Sequence, residues 1–219
     1  MNFDITNLGS PDEEKKNGTK LQDDQVLIIV DAIEKECLDF SDITRSPFIL
    51  IPTGLIASGK TTTVKALAEH YSLVVVRTDT IRAYLEKRGY NLTRTVEIAF
   101  HLILRVLQQG HGVAIDADIV QKEDRDAIVK LASELSLPII SVKINTPENV
   151  ILERLDDNNT EREYRGEEAI KRYFERKHLH ADQSISFDFV FKGDQELAPQ
   201  LQAAIEVIDS KIQQNTPEN

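Results

Sequence analysis

The stretch from Phe48 to Leu67 reads FILIPTGLIASGKTTTVKAL, an apolar block that passes through two glycines and a lysine into a helical pattern. Gly54, Gly59, Lys60 and Thr61 satisfy the spacing G-x-x-x-x-G-K-[ST]. They stand between the apolar run Phe48–Ile51 and an amphipathic stretch, the strand–loop–helix setting that a phosphate-binding loop requires. The glycines let backbone N–H groups converge on a phosphate, and a helix starting near Gly59 adds the positive end of its dipole. Lys60 supplies a point charge for the outer phosphates, and the Thr61 hydroxyl is placed to ligate Mg²⁺. The candidate nucleotide contacts are therefore Gly54, Leu55, Ala57, Ser58, Gly59, Lys60, Thr61 and Thr62.

Outward from the loop, the 219 residues at 41% hydrophobic suffice for one well-buried α/β domain with extensions. A single cysteine, Cys37, excludes an intrachain disulfide framework, and no segment approaches the roughly 18 continuous apolar residues of a membrane span. The first residues lack the basic start and apolar core of a secretory signal, so the expected location is the cytoplasm, with no membrane partner. A formal charge of −11 argues in general against a nucleic-acid partner. Residues 1–44, however, hold eleven acids against four lysines, which leaves only −4 for residues 45–219. A polynucleotide thus remains open as an acceptor.

Residues 1–22 are polar and broken by Gly9-Ser10-Pro11 and Asn17-Gly18, which reads as a mobile tail. Residues 23–44 follow as a helical extension, with Val26, Ile29, Val30, Ile33 and Cys37 on one stripe. From residue 45 to 214, apolar runs alternate with helical patterns. Strands are expected at Phe48–Ile51, Leu73–Val76, Val113–Ile115, Pro138–Ile144 and Phe187–Phe191. Helices are expected near 60–70, 79–88, 93–109, 122–136, 147–156, 167–180 and 195–212, and residues 215–219 form a short tail. This alternation predicts a three-layer α/β fold, a five-stranded parallel sheet with helices on both faces. Ligands in such sheets bind beyond the carboxyl ends of the strands, where Gly54–Thr61, Asp79 with Arg82, and Asp116 or Asp118 all fall.

Asp79 and Arg82 are three apart, on one face if a helix begins there. A carboxylate at that position can accept the proton of an attacking hydroxyl, and the arginine can hold an anionic acceptor or the transferring phosphoryl group. The plain alternative for Asp79 is a helix N-cap. Asp116 ends the strand GVAID and is the preferred acid there, either completing a Mg²⁺ shell or contacting the acceptor. The segment 154–180 has a loop-like middle and reads as a lid, with Arg154, Arg162, Arg165 and Arg172 as arginines that could reach phosphates. Gly193 follows the last strand, where its backbone could line a base pocket or simply turn the chain. His178 and His180 lack cysteine or carboxylate companions at ligand spacing and raise no metal expectation.

The order GLIASGKTTTVKALAEHYSLVVVRTDTIRAYL, QQGHGVAIDADIVQKEDRDAIVKLA and PIISVKINTPENVILERL resembles the small P-loop kinases grouped with polynucleotide kinase and zeta-toxin-like proteins, over roughly Phe48 to Asp209. The resemblance implies ATP and Mg²⁺ on Lys60 and Thr61, and Asp79 as base for the acceptor hydroxyl. It further implies Arg82 on acceptor or phosphate, Asp116 at the third strand end, and Arg162 or Arg165 as lid arginine. Three positions depart from that group's pattern. Ile56-Ala57 stands for Pro-Gly, Arg154-Leu155-Asp156-Asp157-Asn158 for R-L-x-x-R, and Asp118 for a threonine.

The expected function is therefore an ATP-dependent kinase acting on a hydroxyl of a polynucleotide 5′-end, nucleoside, sugar or nucleotide sugar. The alternative is an ATP-binding regulatory module that reaches a protein partner through the acidic helix. A GTPase switch is disfavoured because neither D-x-x-G nor N-K-x-D occurs.

Overall fold

A computed structural model describes residues 18–40, 44, 46–117, 122–156, 166–178 and 186–215. Its strands are β1 (Ile49–Thr53), β2 (Val74–Arg77), β3 (Val113–Asp116), β4 (Ile139–Asn145) and β5 (Phe189–Lys192). They hydrogen-bond in the order β2-β3-β1-β4-β5, as a parallel sheet with helices on both faces. The helices are α1 (Asp23–Cys37), α2 (Lys60–Tyr71), α3 (Thr78–Lys87), α4 (Thr95–Gln108), α5 (Lys122–Glu134), α6 (Glu148–Asp156), α7 (Gly166–Lys177) and α8 (Leu197–Asn215). Chain order reverses direction across the sheet at β1, so the loop leaving β1 lies at the switch point where such sheets take ligands. No helix among the described residues is long and apolar enough to cross a membrane. Contacts divide the chain into two compact units.

The first unit is Met1–Leu50 with Ala68–Ile139. β2 and β3 pair in register from Val74↔Val113 to Arg77↔Asp116. β1 joins through Ile49↔Val113 and Leu50↔Ala114, and two residues on, Pro52 has no N–H with which to continue a ladder. β3 is buried along its whole length, as expected of a strand covered on both faces. α4 packs on β2 and β3 through an apolar face that includes Ile98, Leu102 and Val106. α1 buries Val26, Ile29, Val30 and Ile33, whereas Cys37, expected on the same stripe, is exposed. Cys37 is the last residue of the helix, and Leu38 after it is already extended. Of the tail expected over residues 1–22, residues 1–17 lie outside the described residues. Leu21 is fully buried and Thr19 bridges to Tyr90, so packed structure is present from Gly18.

The second unit is Ile51–Leu67 with Ile140–Asn219. β4 alternates, with Ile140, Val142 and Ile144 buried, and pairs with β5 from Val142↔Phe189 to Asn145↔Lys192. α8 buries Ala204, Ile208 and Ile212. Ile151 and Leu155 of α6 meet Ala169 and Tyr173 of α7 in a small core, against which Leu55, Ile56 and Ala57 pack. The loop after β1 is therefore held by its apolar residues, which accounts for Ile56 in a position open to solvent in most loops.

Candidate active site

In the second unit, β1 ends at Thr53 and the chain turns through Gly54 to Gly59 before α2 begins at Lys60. Gly54 is required by crowding. A Cβ there would lie 2.7 Å from the Ser58 Oγ and 3.2 Å from the Ile144 carbonyl. Gly59 is required by conformation instead: its φ is +100, while a Cβ there would meet nothing nearer than Arg154 Nη1 at 3.9 Å. Ala57 adopts φ 59, the left-handed region, although it carries a side chain.

The loop closes on itself through Ser58 N–H donating to the Leu55 carbonyl at 3.1 Å, and the Thr63 N–H starts the helical ladder on Gly59 at 3.0 Å. The N–H groups of Lys60, Thr61 and Thr62 precede that ladder and have no intrahelical carbonyl. No acidic residue lies in the first turn of α2, so the positive end of the helix is not neutralised by its own side chains. Thr61 and Thr62 are exposed, and the Ser58 hydroxyl is buried without a hydrogen-bond partner. An orphaned buried hydroxyl in a loop of convergent N–H groups fits a polyphosphate ligand.

Two side chains brace the outer side of this loop. Thr146, just past β4, donates its hydroxyl to the Ser58 carbonyl at 2.8 Å. Arg154 of α6 donates through Nη1 to the carbonyls of Ala57 and Ser58, at 3.1 and 3.2 Å, and through Nη2 to the Gly193 carbonyl at 2.5 Å. Gly193 is correspondingly tight. A Cβ there would meet Thr146 Oγ1 at 1.8 Å and the Ser58 carbonyl at 2.7 Å. The backbone of Gly193 thus presses on the phosphate loop itself. Arg154, one of the arginines considered for the lid, touches the loop, and it does so as a clasp on carbonyls. Arg162 and Arg165 lie outside the described residues, as does Asp118.

In the first unit, α3 starts directly at the end of β2. Asp79 lies in its first turn, half-exposed, and accepts from Arg82 Nη1 at 2.8 Å. The N-cap position belongs to Arg77, so Asp79 is not the cap that its residue type suggested. Asp116 ends β3 with a side chain only 6% exposed. Its neighbour across the ladder, Arg77, brings Nε to within 3.1 Å of Asp116 Oδ2. That Nε is buried and makes no aligned hydrogen bond, so the contact is an ion pair set by strand register rather than a bidentate clamp. Arg77 was not among the sequence candidates. It stands just past the apolar run Leu73–Val76, at the last position of β2, where only the pairing partner reveals its role.

The first unit thus presents two carboxylate–arginine pairs at adjacent strand ends, Asp79–Arg82 and Asp116–Arg77. The second presents a phosphate loop clasped by Thr146, Arg154 and Gly193.

A family model described as an AAA domain matches residues 49–178. The adenylyl-sulfate kinase of Myxococcus xanthus is 29% identical over 116 residues. That match spans 49% of this chain and 62% of the relative, less than two thirds of its length. Among solved structures, the APS kinase of Mycobacterium tuberculosis in complex with AMPPNP and APS superposes with a TM-score of 0.53 at 21% identity, over 75% of this chain and 98% of the other. A gluconokinase from Sinorhizobium meliloti gives a TM-score of 0.55 at 18% identity, over 78% and 96%. At these identities the likeness to the solved structures is one of fold.

Proposed function

Because the chain belongs to the AAA domain family, matched over residues 49–178, we propose that it is an ATP-dependent kinase transferring the γ-phosphoryl group to a hydroxyl acceptor. One observation carries this reading: the loop Gly54–Thr61, with left-handed backbone at Ala57 and Gly59, an orphaned buried Ser58 hydroxyl, and a helix start free of acids. Similarity to an adenylyl-sulfate kinase in sequence, and to a gluconokinase in fold, supports phosphoryl transfer over other uses of such a loop.

ATP with Mg²⁺, when bound, supplies the activated phosphoryl group and neutralises its charge. The N–H groups of Gly59 to Thr62 and the Lys60 ammonium would hold phosphate oxygens, and the Thr61 hydroxyl would ligate Mg²⁺; Asp116, at the end of β3, is the carboxylate whose chemistry also suits that metal. Asp79 accepts the proton of the acceptor hydroxyl. Arg82, which holds the Asp79 carboxylate in place, also offers its guanidinium to an anionic acceptor. Arg154 keeps the loop carbonyls turned away from the phosphate side.

The test is Mg²⁺-dependent transfer of labelled γ-phosphate to a panel holding adenylyl sulfate, 5′-hydroxyl RNA and DNA, nucleosides, sugars and nucleotide sugars. Product is expected from one class, lost in Lys60→Ala, and reduced by about 10²–10⁴-fold in Asp79→Asn. An undiminished rate in Asp79→Asn would remove Asp79 as base. A silent panel with ATP still bound would favour the regulatory alternative. The acids of α1 do not favour it: Asp23, Asp31, Glu34 and Glu36 are already paired to Arg94, Arg105 and Arg88 within the chain.

A further inference from the structure

Residues 18–37 precede the matched family region, and they are built onto the helix that carries Asp79 and Arg82. Glu36, in the last turn of α1, uses both carboxylate oxygens on α3. Oε1 accepts from the Tyr84 hydroxyl at 3.3 Å, and Oε2 from Arg88 Nη2 at 3.2 Å. The Arg88 guanidinium lies 3.4 Å over the Tyr84 ring, and its Nη1 donates to the Tyr84 carbonyl at 3.4 Å. Just past α3, Thr19 exchanges backbone hydrogen bonds with Gly89 at 2.8 Å and Asn91 at 3.0 Å. Gly18 is pressed there so closely that a Cβ would meet the Tyr90 carbonyl carbon at 2.8 Å.

The same segment grips α4. Asp23 pairs with Arg94 at 2.5 Å, and Asp31 and Glu34 both pair with Arg105. Arg94 in turn holds Glu97 through two parallel hydrogen bonds of 2.5 and 2.7 Å. The connection between α3 and α4 is thereby pinned on both sides of the turn.

The apolar stripe of α1 accounts for its stability contribution. Glu36 does not add to that stripe: its side chain is 53% exposed, and exposed ion pairs stabilise little. What it does is fix the distal end of α3. A ten-residue helix is a rod of about 15 Å, so fixing one end sets the tilt of the other. Proton transfer and acceptor binding respond steeply to displacements of an ångström or less. We propose that residues 18–37 are a built-in strap that sets the position of the Asp79–Arg82 pair for the hydroxyl acceptor, with Glu36 as its positioning residue. The proposal rests on the kinase reading above.

The test compares the full chain with its Glu36→Gln variant in two measurements. The first is hydrogen exchange without ligands: α3 amides are expected to exchange several-fold faster in the variant, with α2 unchanged. The second is transfer kinetics on whichever acceptor of the panel the wild type phosphorylates. The acceptor KM is expected to rise about three- to tenfold, while the ATP KM and kcat stay within about twofold. A double variant, Glu36→Gln with Arg88→Gln, should lose less than the sum of the two single variants, since the pair shares one ion pair. Unchanged exchange in α3 would overturn the strap. Faster exchange with an unchanged acceptor KM would overturn its positioning role and leave packing only, and a parallel rise of both KM values would do the same. A wild type silent on every acceptor would instead sink the kinase reading, and the acceptor role of the strap with it.

Discussion

Ala57 occupies a loop position where its φ of 59 suits glycine better than any L-residue. The strain persists because the residue is held from both sides: its side chain packs against the α6–α7 core and its carbonyl accepts from Arg154. Replacing it with glycine removes the steric cost but adds unfolded-state entropy and loses a methyl contact. Ala57→Gly is therefore expected to change stability by less than about 1 kcal/mol, measured by urea denaturation, with nucleotide affinity retained. Gly193→Ala is expected to behave differently. The added methyl would overlap Thr146 Oγ1 and the Ser58 carbonyl, so the turn or the phosphate loop must shift. A loss of about 1–3 kcal/mol is expected, together with weaker binding of a fluorescent ATP analogue. Wild-type affinity in this variant would mean that the turn moves freely away from the loop.

At the scale of elements, the joint between α6 and α7 rests on Glu148. It accepts from the Tyr173 hydroxyl at 2.9 Å and from the Lys177 ammonium. Lys177, followed by Tyr173, holds the Glu148 carboxyl below its ordinary range. Burial first, and then the hydrogen bond to Glu148, push the Tyr173 hydroxyl up to about 12 from 10.0. In the folded chain the neutral phenol is therefore favoured beyond the pH at which the unfolded chain loses its proton. This contribution to stability is whole below pH 10 and is lost as pH rises towards 12. Tyr173→Phe is expected to flatten the alkaline fall of the urea midpoint in that window. An equally steep fall would assign the loss to other groups. Helix ends follow a local rule: Ser72, Gly89, Gly110 and Ser136 take positive φ after α2, α3, α4 and α5. The two serines show that the conformation, not the glycine, is what a helix end demands.

For the molecule as a whole, the stripe on residues 23–37 bears on whether the acidic first segment is part of the core. Ile33 is 1% exposed and Val30 fully buried, so α1 belongs to the core of the first unit. Ile33→Ala is expected to cost about 2–5 kcal/mol, as for a core residue, read by tyrosine fluorescence during urea denaturation because the chain has no tryptophan. A loss under about 0.5 kcal/mol would show instead that α1 detaches from an otherwise intact fold.

The strands, their alternation with helices, and the phosphate loop were legible in the chain itself. Each depends on residues near one another in sequence: a two-residue or 3.6-residue period, or a glycine in a conformation only glycine favours. By the same local logic the stripe of α1 was readable up to Ile33, and it failed at Cys37, where the helix ends. What only the tertiary structure decided was the set of partners. Arg77 faces Asp116 because β2 and β3 pair in one particular register. Arg154 serves the phosphate loop, and Glu36 holds α3, because of contacts between residues 96 and 97 positions apart for the first and 48 and 52 for the second. A long charged side chain can satisfy any partner within its reach, and which one lies within reach is set by packing, not by its neighbours in the chain.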